Sequence, residues 1–238
     1  MKKIFMLVLI SFFIFFIYIK TIDKKIYYLS LGDALSIGLD SDGNYEHGFD
    51  RKISSYLSSK KILEISVTEF SDSSNRTTDL INMIKDNKKI SKKDKKISIK
   101  NALVKADFTT ISVGLNDYIY YLNVSARNMY SNINIISLDI KELLTILKEY
   151  SKEDIAFIGI YNPYTEHPNL IAVEENLKIL NKNIKALCKS MDIFYIDIYD
   201  EMKNPNYLKD RSIYPTKEGY NMIFEKIKEI LDDKTLKK

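Results

Sequence analysis

Ile26-Tyr27-Tyr28-Leu29-Ser30-Leu31-Gly32-Asp33-Ala34-Leu35-Ser36 is the stretch on which the fold turns. Its first six residues form an apolar and aromatic run that stops at Gly32-Asp33, the pattern of a buried strand that ends in a turn. A loop rich in Gly, Asp and Asn (Gly38 to Gly48) follows, and Phe49, Ile53, Tyr56 and Leu57 then recur at helical spacing. Leu63 to Phe70 alternates as a second strand. Asp72-Ser73-Ser74-Asn75 is a turn cluster that leads into a helix through Thr77, Leu80, Ile81 and Ile84.

The same alternation continues to the C-terminus. Phe108 to Val113 is a β-branched strand closing at Gly114, and Ile133 to Tyr150 carries Ile136, Ile140, Leu143, Leu144 and Leu147 on one helical face. Ile155 to Ile160 and Ile193 to Ile198 are further buried strands, Val173 to Met191 is an amphipathic helix, and Thr216 to Leu231 is a closing helix. Strands alternating with helices predict an α/β domain with a parallel sheet and right-handed crossovers. Ligands on such sheets bind beyond the carboxyl ends of the strands, so the residues after each strand are the candidates for function.

The 238 residues include 45% apolar ones, enough for a core, and one cysteine, Cys188, which excludes an intrachain disulfide and any multi-cysteine metal site. On an amphipathic helix Cys188 reads as a buried apolar residue. His47 and His167 are the only histidines, so histidine chemistry has little material. No metal or cofactor is expected. The net charge of +4 is local, because Lys85 to Lys100 holds eight lysines and two aspartates and the rest of the chain is slightly acidic. That run reads as a solvated helix end or loop, with anionic lipid or wall polymer as a partner; nothing else in the chain supports nucleic acid.

At the N-terminus, Ile4 to Ile19 contains one polar side chain, Ser11. At about 1.5 Å per residue this run approaches the roughly 20 residues of a membrane span, and Tyr18 and Lys20 suit the headgroup level. No small-residue cleavage site precedes Asp23, so residues 1–25 are expected to be an uncleaved anchor or signal-anchor, with a cleaved signal and secretion as the alternative. Lys2 and Lys3 oppose Lys20, Lys24 and Lys25, which leaves the orientation balanced.

Four blocks stand at strand ends or before a helix: Gly32-Asp33-Ala34-Leu35-Ser36; Ser71 to Thr77; Gly114-Leu115-Asn116-Asp117; and Asp210-Arg211-Ser212-Ile213-Tyr214-Pro215 with Gly219-Tyr220. Each alone is ordinary turn chemistry. In this order they resemble the SGNH/GDSL hydrolase superfamily, whose blocks read Gly-Asp-Ser-Leu, Gly-x-Asn-Asp and Asp-x-x-His-Pro followed by a Gly-Tyr helix. Asn75-Arg76-Thr77 and Ile158-Gly159-Ile160-Tyr161-Asn162-Pro163 look like a Gram-positive, membrane-anchored or secreted branch. The resemblance covers Ile26 to Ile230 and implies a three-layer α/β/α domain with a central, mostly parallel sheet of flavodoxin-like type, a lipase/acylhydrolase-like domain over 26–238, held outside the cytoplasm by the anchor.

It also implies that the nucleophilic serine is replaced by Ala34, the general base by Tyr214, and the aspartate that orients the base by Arg211. A methyl group cannot attack an acyl carbon, and a tyrosine with its ordinary pKa of about 10 is a poor proton acceptor. The resemblance places the oxyanion-hole donors at the Ala34 N–H, the Ser71 N–H and the Asn116 side chain. Such donors can hold an oxygen without a nucleophile. Gly32, Asp33, Asn75, Gly114 and Asp117 read as motif residues needed by the turns.

The expectation is a pseudo-hydrolase that binds an acyl, ester or glycan ligand, or an envelope protein. The alternatives are an acylhydrolase with a rearranged group, built on Ser36 with His47 or His167, and a structural envelope component. Ser36 lies where a helix-capping serine would, and both histidines read as exposed loop residues. Tyr118, Tyr120 and Tyr121 either line a cleft or belong to the core.

Overall fold

The computed structural model describes residues 25–45, 48–92, 94–164 and 170–236. The expected anchor, His47 and His167 lie outside them. No helix among the described residues is long and apolar enough to cross a membrane.

Apolar runs of five to seven residues give strands β1 (Ile26–Gly32), β2 (Leu63–Val67), β5 (Phe108–Ser112) and β6 (Asp154–Ile158), and a shorter one gives β7 (Phe194–Ile196). They pair in parallel in the order β2-β1-β5-β6-β7, so the predicted parallel sheet is present with the flavodoxin-like strand order. Every residue of β1 is buried, as a central strand covered on both faces requires.

Side chains alternate across the sheet, and the core divides accordingly. Tyr27, Leu29 and Leu31 face one layer, where α3 (Thr77–Lys85), α4 (Ile99–Lys105), α6 (Met129–Tyr150) and α7 (Leu170–Ser190) bury their apolar stripes. Ile26 and Tyr28 face the other, filled by α2 (Phe49–Ser59) and α8 (Lys217–Ile230). Two short helices, α1 (Ala34–Ile37) and α5 (Leu115–Ser125), begin directly after β1 and β5. Cys188 is buried in the first core.

The lysine run requires a correction. Lys85 does end α3, but the middle of the run forms an antiparallel hairpin, β3 (Lys89–Lys92) and β4 (Lys95–Ser98), in place of the expected helix end or loop. Ile90 pairs with Ile97 and both pack against the first core, while Asp94 takes the left-handed conformation (φ 63°) in the turn. One cross-strand pair of apolar residues suffices once a core is there to receive it. The charge pattern concealed them.

Candidate functional site

The site is assembled where β1 and β5 end side by side. Gly32 pairs with Ser112, and a Cβ on Gly32 would lie 2.5 Å from the Ser112 carbonyl oxygen, so only glycine allows this approach. The Asp33 N–H then donates to that carbonyl (3.0 Å). Its carboxylate accepts from the Ser112 hydroxyl (2.9 Å) and from the Leu35 N–H (3.1 Å), which caps α1. Burial pushes the Asp33 carboxyl up to about 7 despite these bonds.

Ala34 opens α1 with its methyl group buried. Its N–H, at the first helical position, has no hydrogen-bond partner among the described residues. Ser36 is fully buried, and its hydroxyl donates to the Asp33 carbonyl (2.9 Å). It is part of the turn's own bonding.

The second and third blocks tie themselves to this turn. Asp72 N–H and Asn75 Nδ2 both donate to the Gly32 carbonyl (3.1 and 2.9 Å). The Ser71 N–H donates to the Thr68 carbonyl (3.1 Å), and its hydroxyl to the Ser30 carbonyl (3.2 Å). Asn116 gives its side-chain amide to the carbonyls of Ser73 and Asn75, each at 2.9 Å. Two of the three donors implied for an oxyanion hole are therefore spent on the chain itself.

Gly114 precedes Asn116 at φ 105°, in the left-handed region open to glycine. Asp117, buried, accepts from the N–H and hydroxyl of Thr77 (3.0 and 2.9 Å) at the start of α3; desolvation still raises its pKa.

The last block closes from the other side. Tyr161, beyond β6, donates to the Ile213 carbonyl (2.6 Å), and Tyr220 donates to the Leu39 carbonyl (2.8 Å) beyond α1. Ser212 and Tyr214 bond reciprocally, the hydroxyl accepting from Tyr214 N–H (3.1 Å) and donating to Tyr214 O (2.9 Å). Tyr214 is half-buried, and burial, then Tyr45 and Asp33, raise its phenol above the ordinary range. It stays protonated near neutrality and is a hydrogen-bond donor there, not a base. Arg211 is exposed in a left-handed turn (φ 62°) three residues earlier.

The fold thus gathers Gly32, Asp33, Ala34, Asn75 and Asn116 into one bonded unit with Tyr214 in electrostatic reach, and leaves Arg211 at the surface. Of the three tyrosines after the third block, Tyr118 is core, Tyr121 packs against the core, and Tyr120 is exposed with the Arg76 guanidinium 4.4 Å from its ring centre. The space between Asp33, Ser112, Leu115, Ile160 and Tyr161 is about 10 Å³, at the lower limit for one water. Among the described residues no group of carboxylates, histidines or cysteine has metal-binding geometry.

Ser112 and Tyr161 are site residues that sequence reading did not single out for a role. The signal for Tyr161 lay in the Ile158 to Pro163 stretch; Ser112 is an ordinary strand serine until Asp33 is placed beside it.

The family model described as GDSL-like Lipase/Acylhydrolase matches residues 28–227. Among solved structures, a lipase from a goat rumen metagenome aligns at 21% identity and TM-score 0.68, covering 85% of this chain and 95% of its own. An acetylxylan esterase from Geobacillus stearothermophilus aligns at 15% identity and TM-score 0.63, over 87% of this chain and 94% of its own. A catalytic mutant of that esterase with serine replaced by alanine aligns at the same values. At these identities the likeness is one of fold. No curated protein sequence matches.

Proposed function

The chain belongs to the GDSL-like lipase/acylhydrolase family, and from that premise we propose that it is a catalytically silent member, anchored at the cell envelope, that binds a ligand or protein partner instead of hydrolysing an ester. The carrying observation is the state of the strand-end turn. A methyl group stands at Ala34, and the donors at Ser71 and Asn116 are spent on Thr68, Ser73 and Asn75. A hydrolase needs a nucleophile, a base and several donors aimed at one oxygen. Here the first is absent, the second is a protonated phenol, and one donor, the Ala34 N–H, remains.

The burial of Ser36 supports the same reading, because an acyl group would have to displace the Asp33 carbonyl to reach it. An acyl, ester or glycan ligand would meet the outer rim of the site, Tyr45 and Tyr214, rather than a deep pocket. The acetylated xylan named for the Geobacillus enzyme is one example of that ligand class. The apolar Ile4 to Ile19 run supports attachment to a membrane; the placement of the domain outside the cytoplasm rests on the resemblance to secreted and membrane-anchored family members.

The test uses a fluorophosphonate probe and a chromogenic short-chain ester on the native protein and on the combined variant Ala34→Ser, Arg211→Asp, Tyr214→His. The native protein is expected to remain unlabelled. The variant is expected to label while turning over the ester weakly, since each missing oxyanion donor costs about 10²–10³ in rate. Labelling of the native protein that Ser36→Ala abolishes would sink the proposal and establish a rearranged hydrolase.

A further inference from the structure

Charged residues make up 29% of the chain, yet from Tyr118 to Leu138 there is one, Arg127. Burial does not account for this, because much of the stretch lies at the surface, in the end of α5 and the first half of α6. Tyr130 is 71% exposed and Leu138 63%. On the neighbouring α7, Ile171 (76%) and Ile179 (39%) are exposed as well. By contrast α2 and α8, which cover the other side of the sheet, expose no large apolar side chain.

The exposed residues are ordered. Tyr130, Asn134 and Leu138 follow one another four apart along α6, and Ile171, Glu175 and Ile179 do so along α7. Both helices are crossovers between parallel strands and pack on the same core, so they run side by side in one direction. Across their seam the Asn183 amide donates to the Ser137 hydroxyl (3.1 Å). The two stripes therefore belong to one outer face. Single exposed apolar residues are ordinary, but adjoining stripes from which charge has been removed have the composition of an interface core.

The two charges that the face does carry point to its partner. Arg127 and Glu175 are opposite in sign and exposed, and neither has an ion pair among the described residues. In a two-fold pairing, what position i of one copy meets at position j of the other is met in return. Arg127 of each copy can thus meet Glu175 of the other, while the neutral stripes meet without like-charge repulsion. An anionic membrane surface would instead call for a cluster of lysines. Charge resumes only at the margins, with Lys141 and Glu142 one turn beyond Leu138 and with Lys178 on the flank of α7 that turns towards Asp200.

We propose that the outer face of α6 and α7 pairs two copies of this chain about a two-fold axis, with Arg127 of each copy against Glu175 of the other. The pairing is independent of the strand-end turn and of whether the protein hydrolyses an ester.

Sedimentation equilibrium of the full chain in detergent, over a series of protein concentrations, tests the proposal. A reversible dimer is expected. Leu138→Lys, a change at an exposed position, should raise the dissociation constant about tenfold or more and leave the melting temperature of the domain unchanged. Arg127→Glu and Glu175→Arg should each weaken the dimer similarly, and the two combined should restore it. A monomer at every concentration would overturn the proposal, whether or not the protein then binds phosphatidylglycerol vesicles. So would a dimer that Leu138→Lys leaves intact, which would put the contact elsewhere in the chain, or a combined charge variant that fails to regain the dimer.

Discussion

Asn116 has two amide hydrogens, and the folded chain spends its side-chain amide on the carbonyls of Ser73 and Asn75. That changes what its removal should do. Asn116→Ala leaves two carbonyls of the second-block loop without donors, and the protein is expected to lose about 1–3 kcal/mol in a denaturant titration. An asparagine that only awaited a ligand would be replaced at almost no cost in stability, so an unchanged midpoint would return Asn116 to a binding role. The same logic separates Ala34 from Ser71. Both positions carry an N–H in the sequence, but the Ala34 N–H begins a helix and stays unpaired, whereas the Ser71 N–H closes a turn on Thr68. Residue identity was legible from the chain: a methyl at Ala34 and a phenol at Tyr214 needed no coordinates. The direction of each donor was not, because a single bond rotation or one turn type decides it.

Among the elements, α3 shows how a motif residue serves folding. The Asp117 carboxylate, offered from the start of α5, meets the N–H and hydroxyl of Thr77 at the α3 N-terminus, where helix-end donors are otherwise orphaned. Asp117→Ala should destabilise the protein by about 1–2 kcal/mol, and hydrogen exchange should quicken first in residues 77–85. Uniform exchange along the chain would argue that Asp117 does not act through α3. Most helices and strands follow the periodicity that predicted them, because amphipathic stripes such as Ile136 to Leu147 are written into neighbouring positions. Two kinds of element were hidden. The β3–β4 hairpin has only Ile90 and Ile97 to bury amid lysines, and α5 follows Gly114 with tyrosines and polar residues that give it little amphipathic pattern. Both are stabilised by what they pack against.

Taken as a whole, the molecule buries three carboxyls whose protons it holds more tightly than an unfolded chain does: Asp33 pushed up to about 7, Asp50 to about 6, and Asp117 also raised, each mainly by desolvation. An unfolded aspartate titrates near 3.9. The folded state therefore binds the extra protons, and the stability these groups contribute is full at low pH and is lost as pH rises through about 6 and about 7. Thermal melts should fall between about pH 5 and pH 8. Asp33→Asn, which keeps an oxygen for Ser112 and Leu35, should flatten that decline; an unaltered slope would exclude Asp33 as its source. The sequence by itself determined the parallel α/β sheet, the strand ends as the place to look, and the absence of a nucleophile at Ala34, because periodicity and side-chain chemistry are local properties of the chain. The tertiary structure alone decided that Asn116 serves Ser73 across 43 positions and that Ser36 is sealed. Hydrogen-bond direction and burial depend on partners that only folding brings together.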